Sequence, residues 1–338
     1  MKFNLKMALL FFFMVYNWST LSAQQLNTPK EFQDIINYSP IEYFNTEGSN
    51  SLTFKVLETP AFSASVPSLE RSRKLKKALR KGNKLYKKEQ WKKALKQYQK
   101  ALEMDKNNTW LLRRIGQVFL IKKEYKKAIE YVDKVLLINA FDFEALAIKA
   151  DAQVGLGAFG MATRTITLAH LYNRNSVVLR KRLKAIALLD QYQYDDSWQF
   201  DFNYKIEKIG ENSIQITTPN DIWKAYANCK AVWAFDANYR KAKQNDFLIK
   251  LDFLEEKECL LNFLICYESV DSKHRNAVNL LALKLIETID NKLINAFIQY
   301  EIWAVQNPKS MQELTETELD ELMMYIFTIR TELVINEE

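Results

Sequence analysis

The chain has 338 residues, of which 48% are hydrophobic and 26% are charged, and its formal net charge is +7. This composition is typical of a globular protein and excludes an intrinsically disordered one. Seven glycines and six prolines are too few for the frequent tight turns of an all-β sandwich, so long helices are expected.

The first 23 residues have the pattern of a secretory signal peptide. Lys2 and Lys6 flank the start of an apolar run, 7–16, and Ala23 offers a small residue for cleavage. The run is shorter than the roughly 20 residues of a membrane-spanning helix, so no stable membrane span is predicted. The alternative is an uncleaved N-terminal anchor. We expect an exported protein, periplasmic or secreted, after cleavage near Ala23.

The positive charge is concentrated in one stretch. Residues 71–106 contain fifteen Lys or Arg against three acidic residues, a balance often seen at nucleic-acid interfaces. Because nucleic acid is scarce outside the cytoplasm, an exported protein is not expected to use this charge for nucleic acid. Acidic proteins, anionic surfaces and polyanionic envelope polymers are the remaining partner classes. Residues 24–66, which precede this stretch, are rich in polar residues and predict an extended arm or linker.

A repeat with a period of 34 residues begins near residue 75. Each copy has a small residue, an aromatic residue and a second small residue at fixed spacing. These positions are Gly82, Trp91 and Ala94, then Gly116, Tyr125 and Ala128, then Ala150, Phe159 and Ala162. Small residues allow two helices to approach closely, so the pattern predicts a helix-turn-helix unit that buries its apolar face by stacking on its neighbour.

This order of residues resembles the tetratricopeptide repeat (TPR) family. The resemblance covers residues 75–176 in three copies, and 177–190 has the apolar spacing of a capping helix. It implies an all-α helix-turn-helix solenoid over 67–190. The proline that the family usually places near the end of each repeat is replaced here by Lys106, Ala140 and Arg174.

The resemblance also implies a concave groove lined by the first helix of each copy. The candidate groove residues of the first two copies are Lys76, Asn83, Tyr86, Lys87, Arg113, Gln117 and Leu120, and the third copy adds Glu144 and Asp151. Family members that clasp a peptide's C-terminal carboxylate use a lysine-asparagine pair at the positions of Leu79 and Asn83, so the lysine is missing. The alternative for each side chain is an ordinary solvated helix face.

Residues 155–160 spell G-x-G-x-x-G, the pattern of dinucleotide-binding loops. Such a loop requires a preceding β-strand, whereas 143–154 predicts a helix and Phe159 occupies the aromatic position of the repeat. We interpret the glycines as the turn of the third repeat. No cofactor is predicted.

Residues 191–338 predict a helical domain with one small β-hairpin. Alternation over 198–206 and 213–217, around Gly210, predicts the hairpin. Helices are expected from 221 to 233, over 247–267, over 276–304 and over 316–334. Trp223, Tyr226 and Trp233 form an aromatic stripe that is either structural core or the lining of a ligand pocket.

No catalytic or metal site is predicted. His170 and His274 have no second ligand at helix spacing, and the three cysteines form no C-x-x-C pair. Cys259 and Cys266 would lie about 10 Å apart along a helix and cannot bridge, whereas a disulfide from Cys229 to one of them stays open.

These features favour an interaction protein over an enzyme. The first hypothesis is an exported scaffold whose basic repeat groove binds an acidic envelope protein or peptide. The second is a C-terminal domain that binds or acts on a small molecule or envelope polymer, with the repeats as a docking handle. A third, structural reading pairs the acidic segment 313–321 with the lysine-rich copy of the same or a second chain.

Overall fold

A computed structural model of the chain describes residues 69–210, 213–243 and 251–334. These residues belong to one compact unit, 39–338. The predicted signal peptide and N-terminal arm, residues 1–66, lie outside the described residues.

The predicted all-α repeat architecture is confirmed. Three helix pairs follow one another and a further helix packs on the last pair. The pairs are α1 (Leu69–Lys87) with α2 (Trp91–Met104), α3 (Thr109–Ile121) with α4 (Tyr125–Ile138), and α5 (Phe143–Gly155) with α6 (Phe159–Tyr172), and the capping helix is α7 (Val177–Leu189).

The turns within the helix pairs follow the same 34-residue period as the small and aromatic residues of the repeat. In each pair the turn contains one residue with a left-handed backbone, at Glu89, Lys123 and Gly157. The glycine pattern at 155–160 is therefore the helix-turn-helix connection of the third repeat, as predicted. The helix that follows each pair, α3, α5 or α7, begins at a side-chain cap. The side chains of Asn108, Asp142 and Ser176 accept a hydrogen bond from the backbone N–H three residues later in the chain.

The small residues of the repeat are small because the second helix leaves no room. A Cβ atom added at Gly82 would lie 2.6 Å from Cε1 of Tyr98 on α2, closer than side chains approach one another. Ala94 and Tyr98 are themselves fully buried. The buried apolar residues form two clusters, and α5 contributes to both. Ala145 and Ile148 pack with the first two repeats, whereas Leu146 and Ala150 pack with the third repeat and the C-terminal half.

The C-terminal half is helical with two small antiparallel sheets. Its strands are β1 (Tyr192–Tyr194), β2 (Lys205–Lys208), β3 (Ile214–Thr217) and β4 (Thr331–Leu333). Its helices are α8 (Asp221–Phe235), α9 (Ala237–Lys243), α10 (Leu251–Ser269), α11 (Ser272–Arg275), α12 (Asn279–Asp290), α13 (Ile294–Phe297), α14 (Ala304–Gln306) and α15 (Glu316–Ile329), with 3-10 turns at Asn276–Val278 and Pro308–Gln312 and a π-helical segment at Ile298–Trp303.

The predicted hairpin exists, but it is shorter than expected. β2 pairs with β3, and Ile206 stands opposite Ile216. The prediction of a strand over 198–204 is wrong. The alternating aromatic residues there enter the helical core instead, with Trp198 and Phe200 almost fully buried. The second sheet pairs β1 with β4 and was not predicted, because each strand has only three residues and its partner lies more than a hundred residues away.

The continuous helix expected over 276–304 is also wrong. A left-handed residue, Lys292, ends α12, and the chain restarts as α13 and the π-helical segment. The extra residue per turn of a π-helix rotates the side chains that come after it. Tyr300 and Glu301 lie in this segment, and both are buried.

A buried polar cluster joins the third repeat to the C-terminal half, and we call it the Glu301 network. Glu301 is 0% exposed and receives hydrogen bonds from Arg330 at 2.6 and 2.8 Å, from Arg174 in the turn after α6 at 3.1 Å and from the Tyr325 hydroxyl at 2.7 Å. Two arginines and a tyrosine thus surround one carboxylate. These three groups compensate the negative charge of the buried Glu301 carboxylate.

The same network extends to a histidine of the third repeat. The Tyr300 hydroxyl lies 2.8 Å from Nε2 of His170 and 2.7 Å from the Tyr194 hydroxyl. The guanidinium of Arg330 stacks 3.6 Å from the ring centre of Trp198 and donates to the Trp198 carbonyl oxygen. Side chains of α6, β1, the π-helical segment and α15 are therefore held by one set of hydrogen bonds.

Substitution of Gly82 tests the close approach of α1 and α2. We expect Gly82→Ala to lower the free energy of unfolding by about 1–2 kcal/mol, because the clash with Tyr98 outweighs the gain in helix propensity. Denaturant unfolding measures the change. The matched control is Gly160→Ala, where the nearest atom to an added Cβ is a carboxylate oxygen of Asp190 at 3.6 Å, an ordinary contact. The control should be neutral or slightly stabilising, and equal stability of the two variants would contradict the packing.

The burial of His170 predicts a loss of stability in mild acid. Burial, with nearby arginines, lowers the pKa of His170 to about 3, below its ordinary value of 6.5. The unfolded chain therefore binds a proton below pH 6.5 that the folded chain does not, and about 2 kcal/mol of stability should be lost between pH 7 and pH 5. Unfolding of His170→Asn should show a smaller loss over that interval. The exposed His274→Ala control should keep the wild-type pH dependence, and an unchanged dependence in His170→Asn would contradict the assignment.

Candidate interaction surface

The lysine-rich stretch of the sequence is the solvent-facing surface of the first repeat. All Lys and Arg side chains between 76 and 106 are exposed. Within the described residues, none of them takes part in an ion pair. We call this surface the basic face of the first repeat, and it comprises the Lys and Arg residues of 76–106.

Three of the predicted groove residues lie together on α1. Lys76, Asn83 and Lys87 are seven and four residues apart, so they share one side of the helix, and all three are exposed. The Asn83 side-chain oxygen accepts a hydrogen bond from the Tyr98 hydroxyl at 2.7 Å. This bond fixes the amide of Asn83 and leaves its two N–H donors available on the exposed side.

Tyr86 is a core residue of the first repeat. It is 6% exposed and packs edge-on against Trp91, with ring centres 5.0 Å apart. The Arg114 guanidinium lies 5.2 Å from the Tyr86 ring centre, and burial raises the pKa of Tyr86 to about 12. The sequence placed this ring on an open groove, and the structure corrects that placement.

Two predicted groove residues of the second copy are also buried. Gln117 is fully buried and accepts a hydrogen bond from Arg114 at 3.0 Å, and Leu120 is part of the apolar core. The helix α3 is packed on more than one side, since α2, α4 and α5 all contact it. Periodicity alone does not distinguish such a helix from one with a free face, so the expectation of exposed side chains is corrected here.

Arg113 is half-buried, and its guanidinium is already paired with two carboxylates. It forms ion pairs with Asp142 and with Glu144, the latter at 3.0 Å. Asp142 also caps α5, so the pair connects the second and third repeats. The positive charge of Arg113 is therefore committed to the stacking of repeats.

The groove position of the third copy is occupied by the capping helix. Asp151 is buried and forms an ion pair at 2.5 Å with Arg182 of α7, and burial raises the pKa of its carboxyl group. Of the predicted groove residues, those that keep exposed polar side chains are Lys76, Asn83 and Lys87. The candidate surface is thus confined to the first repeat.

The aromatic stripe of α8 is packed core. Trp223, Tyr226 and Trp233 are at most 2% exposed. Trp223 packs edge-on against Phe263 at 5.2 Å and against Phe200 at 5.3 Å. These contacts fill the space beside the stripe with other rings, which argues against the ligand-pocket interpretation.

The acidic segment 313–321 lies beside the third repeat in this chain. Asp320 on α15 is 3.7 Å from Arg164 on α6, and both side chains are largely exposed. The same-chain form of the third hypothesis placed this segment on the lysine-rich first copy. Its position corrects that form of the hypothesis.

Neither a metal cluster nor a membrane-spanning helix is present in the described ranges. Across 69–210, 213–243 and 251–334, no group of three or more His, Cys, Asp or Glu side chains is arranged to hold a metal ion. Over the same ranges, no helix combines the length and apolarity that crossing a membrane requires. Cys229, Cys259 and Cys266 are free thiols.

The family model of the TPR repeat matches residues 82–122. The match runs from Gly82 through the whole of α3, which is the part of the chain that carries much of the basic face and the exposed side chains at the end of α1. With three stacked helix pairs and a capping helix, residues 69–189 form a TPR-like solenoid.

Individual known proteins are similar at low identity. A DnaJ homolog subfamily C member 7 homolog of Schizosaccharomyces pombe is 23% identical over 217 residues, which are 62% of this chain and 44% of that protein. The chain thus covers less than half the length of this curated relative.

Two solved structures are also similar. The first TPR of Spaghetti (RPAP3) bound to the HSP90 peptide SRMEEVD is 20% identical and covers 35% of this chain and 93% of its own, with a TM-score of 0.33. The MamA crystal structure is 15% identical and covers 68% of this chain and 97% of its own, with a TM-score of 0.33.

Proposed function

We propose that this protein is an exported, non-enzymatic interaction scaffold whose first repeat binds an acidic protein or peptide. The TPR repeat match supports the general class, since TPR repeats are protein–protein interaction modules. The observation that carries the specific proposal is the distribution of unpaired charge on the solenoid.

The first repeat differs from the others in how its charge is balanced. In the second repeat Glu124 pairs with both Lys122 and Lys127, and Arg113 pairs with Asp142 and Glu144. The cations of the basic face have no such partners within the described residues. Like charges crowded on one surface repel one another, so an anionic partner would lower the free energy of this surface more than that of its neighbours.

Lys76, Asn83 and Lys87 are the proposed contacts. The two ammonium groups would pair with carboxylates of the partner, and the free N–H donors of Asn83 would bind a carboxylate or a peptide carbonyl. An acidic protein segment is favoured over nucleic acid because of the proposed export. The C-terminal half is proposed to support the solenoid, because its aromatic stripe is packed core.

Charge reversal on α1 tests the proposed contacts. We expect Lys76→Glu/Lys87→Glu to weaken binding of a Glu/Asp-rich synthetic peptide at least about tenfold, since two attractive contacts become repulsive. Isothermal titration or fluorescence anisotropy of the chain beginning at Gln24 measures the dissociation constant, with a single-stranded oligonucleotide as a competing probe.

The matched control reverses two exposed lysines on the other helix of the same repeat. Lys92→Glu/Lys93→Glu changes the net charge equally and should alter the affinity about twofold or less. Equal weakening by both double variants would indicate general electrostatic attraction and would reject the α1 surface. Stronger binding of the oligonucleotide than of the peptide would reject an acidic protein partner.

The proposed export predicts a defined mature N-terminus. Expression of the full chain in a bacterial host should yield an exported form that begins at Gln24, which intact-mass spectrometry of the cell fractions measures. Leu9→Arg/Leu10→Arg interrupts the apolar run and should leave the uncleaved chain in the cytoplasm. Cytoplasmic retention of the wild-type chain with Met1 intact would contradict the proposal.

A further inference from the structure

Two cysteines stand opposite each other where α8 packs on α10. The two helices run antiparallel: Asp221 lies beside Cys266, Trp223 packs on Phe263, and Lys230 pairs with Glu255 at 2.6 Å. As the position on α8 rises, the partner position on α10 falls. This register brings Cys229 opposite the turn of α10 that contains Cys259.

Cys229 and Cys259 are close enough across this contact for each thiol to shift the pKa of the other. Cys259 is fully buried, whereas Cys229 is partly exposed, so Cys229 is the member of the pair nearer to solvent. We propose that Cys229 and Cys259 are a redox-active dithiol that oxidises to an intramolecular disulfide linking α8 to α10. This inference is independent of the proposed binding function.

The two thiols differ in exposure and in pKa, and this difference assigns their roles. The neighbouring Cys259 thiol lowers the pKa of Cys229, and the Cys229 thiol together with burial raises the pKa of Cys259. The more acidic and more accessible thiol supplies the first thiolate. Cys229 is therefore the attacking residue and Cys259 the resolving residue.

The reaction is thiol–disulfide exchange with a small-molecule disulfide such as oxidised glutathione. The Cys229 thiolate attacks one sulfur of that disulfide, forms a mixed disulfide and releases one thiol. Cys259, once deprotonated, attacks the Cys229 sulfur of the mixed disulfide and releases the second thiol. The two protons of the protein thiols end on the released thiols, and the two electrons lost by the protein reduce the added disulfide.

The third cysteine is an internal control. Cys266 lies beside the backbone oxygen of Asp221, with Sγ 3.5 Å from it, at the other end of the α8–α10 contact. It is seven residues from Cys259, about 10 Å along α10. A disulfide requires Cα atoms no more than about 7 Å apart, so Cys266 has no bridging partner on this helix pair.

The test treats the folded wild-type protein with oxidised glutathione and follows it by intact mass, thiol titration and peptide mapping. We expect a mass about 2 Da lower, one remaining free thiol of the three, and a cross-linked peptide containing Cys229 and Cys259. The melting temperature of the oxidised protein should rise by about 5 °C.

The variants separate this pair from other cysteine chemistry. Cys229→Ser and Cys259→Ser should abolish the cross-link, and Cys266→Ser should retain it. The proposal is overturned by three free thiols after oxidation, by a glutathione adduct that persists on Cys229, or by a cross-link that includes Cys266. The wild-type mass readout decides the question even if a serine variant folds poorly.

Discussion

The Glu301 carboxylate is withdrawn completely from water, and a charge in that position is tolerated only where opposite charges and hydrogen-bond donors surround it. Arg330 supplies a guanidinium from the end of α15, and Arg174 supplies a second from the third repeat. The elements that carry these groups are distant in sequence. They therefore have to meet in one arrangement, and the position of the C-terminal half against the solenoid depends on that requirement.

The apolar interior reinforces this division of the molecule. One cluster of buried residues belongs to the first two repeats, and a second continues from the third repeat through the C-terminal half. Helix α5 contributes side chains to both, since Ile148 faces the first cluster and Leu146 the second. The third repeat is thus both the end of the solenoid and the base on which the C-terminal half packs.

Local patterns predicted the repeats well because each rule acts within 34 residues. Gly82, Trp91 and Ala94 report contacts between two neighbouring helices, and the helix caps at Asn108 and Asp142 recur at the same period. Local reasoning could not supply which side of a helix is covered by a distant element. By sequence position, Gln117 on α3 and Asp151 on α5 are groove residues. In the structure, neighbouring helices pack over both side chains.

The C-terminal half was harder for the same reason. Alternating aromatic residues over 198–204 satisfy the rule for a strand, yet they pack as separate rings into a helical core, with Phe200 edge-on to both Trp223 and Phe297. A π-helical segment inside a regular apolar spacing left no sequence signal. The Glu301 network consists of residues that are ordinary one by one, and only the tertiary structure brings His170, Tyr300 and Arg330 together.

The second and third repeats use charged side chains in contacts within the chain, and this explains why the unpaired cations lie on the first repeat. The third repeat uses Arg174, in the turn after α6, to hold the C-terminal half and Asp151 to hold the capping helix. The second uses Arg113 to bind the third. The first repeat stacks on α3 through Tyr86 and Tyr98, whose rings lie near Arg114 and Trp110, and this contact uses none of its lysines. Charged side chains of the second and third repeats are thus paired within the chain. The unpaired cations lie on the first repeat, at the end of the solenoid where the fewest internal contacts involve charged side chains.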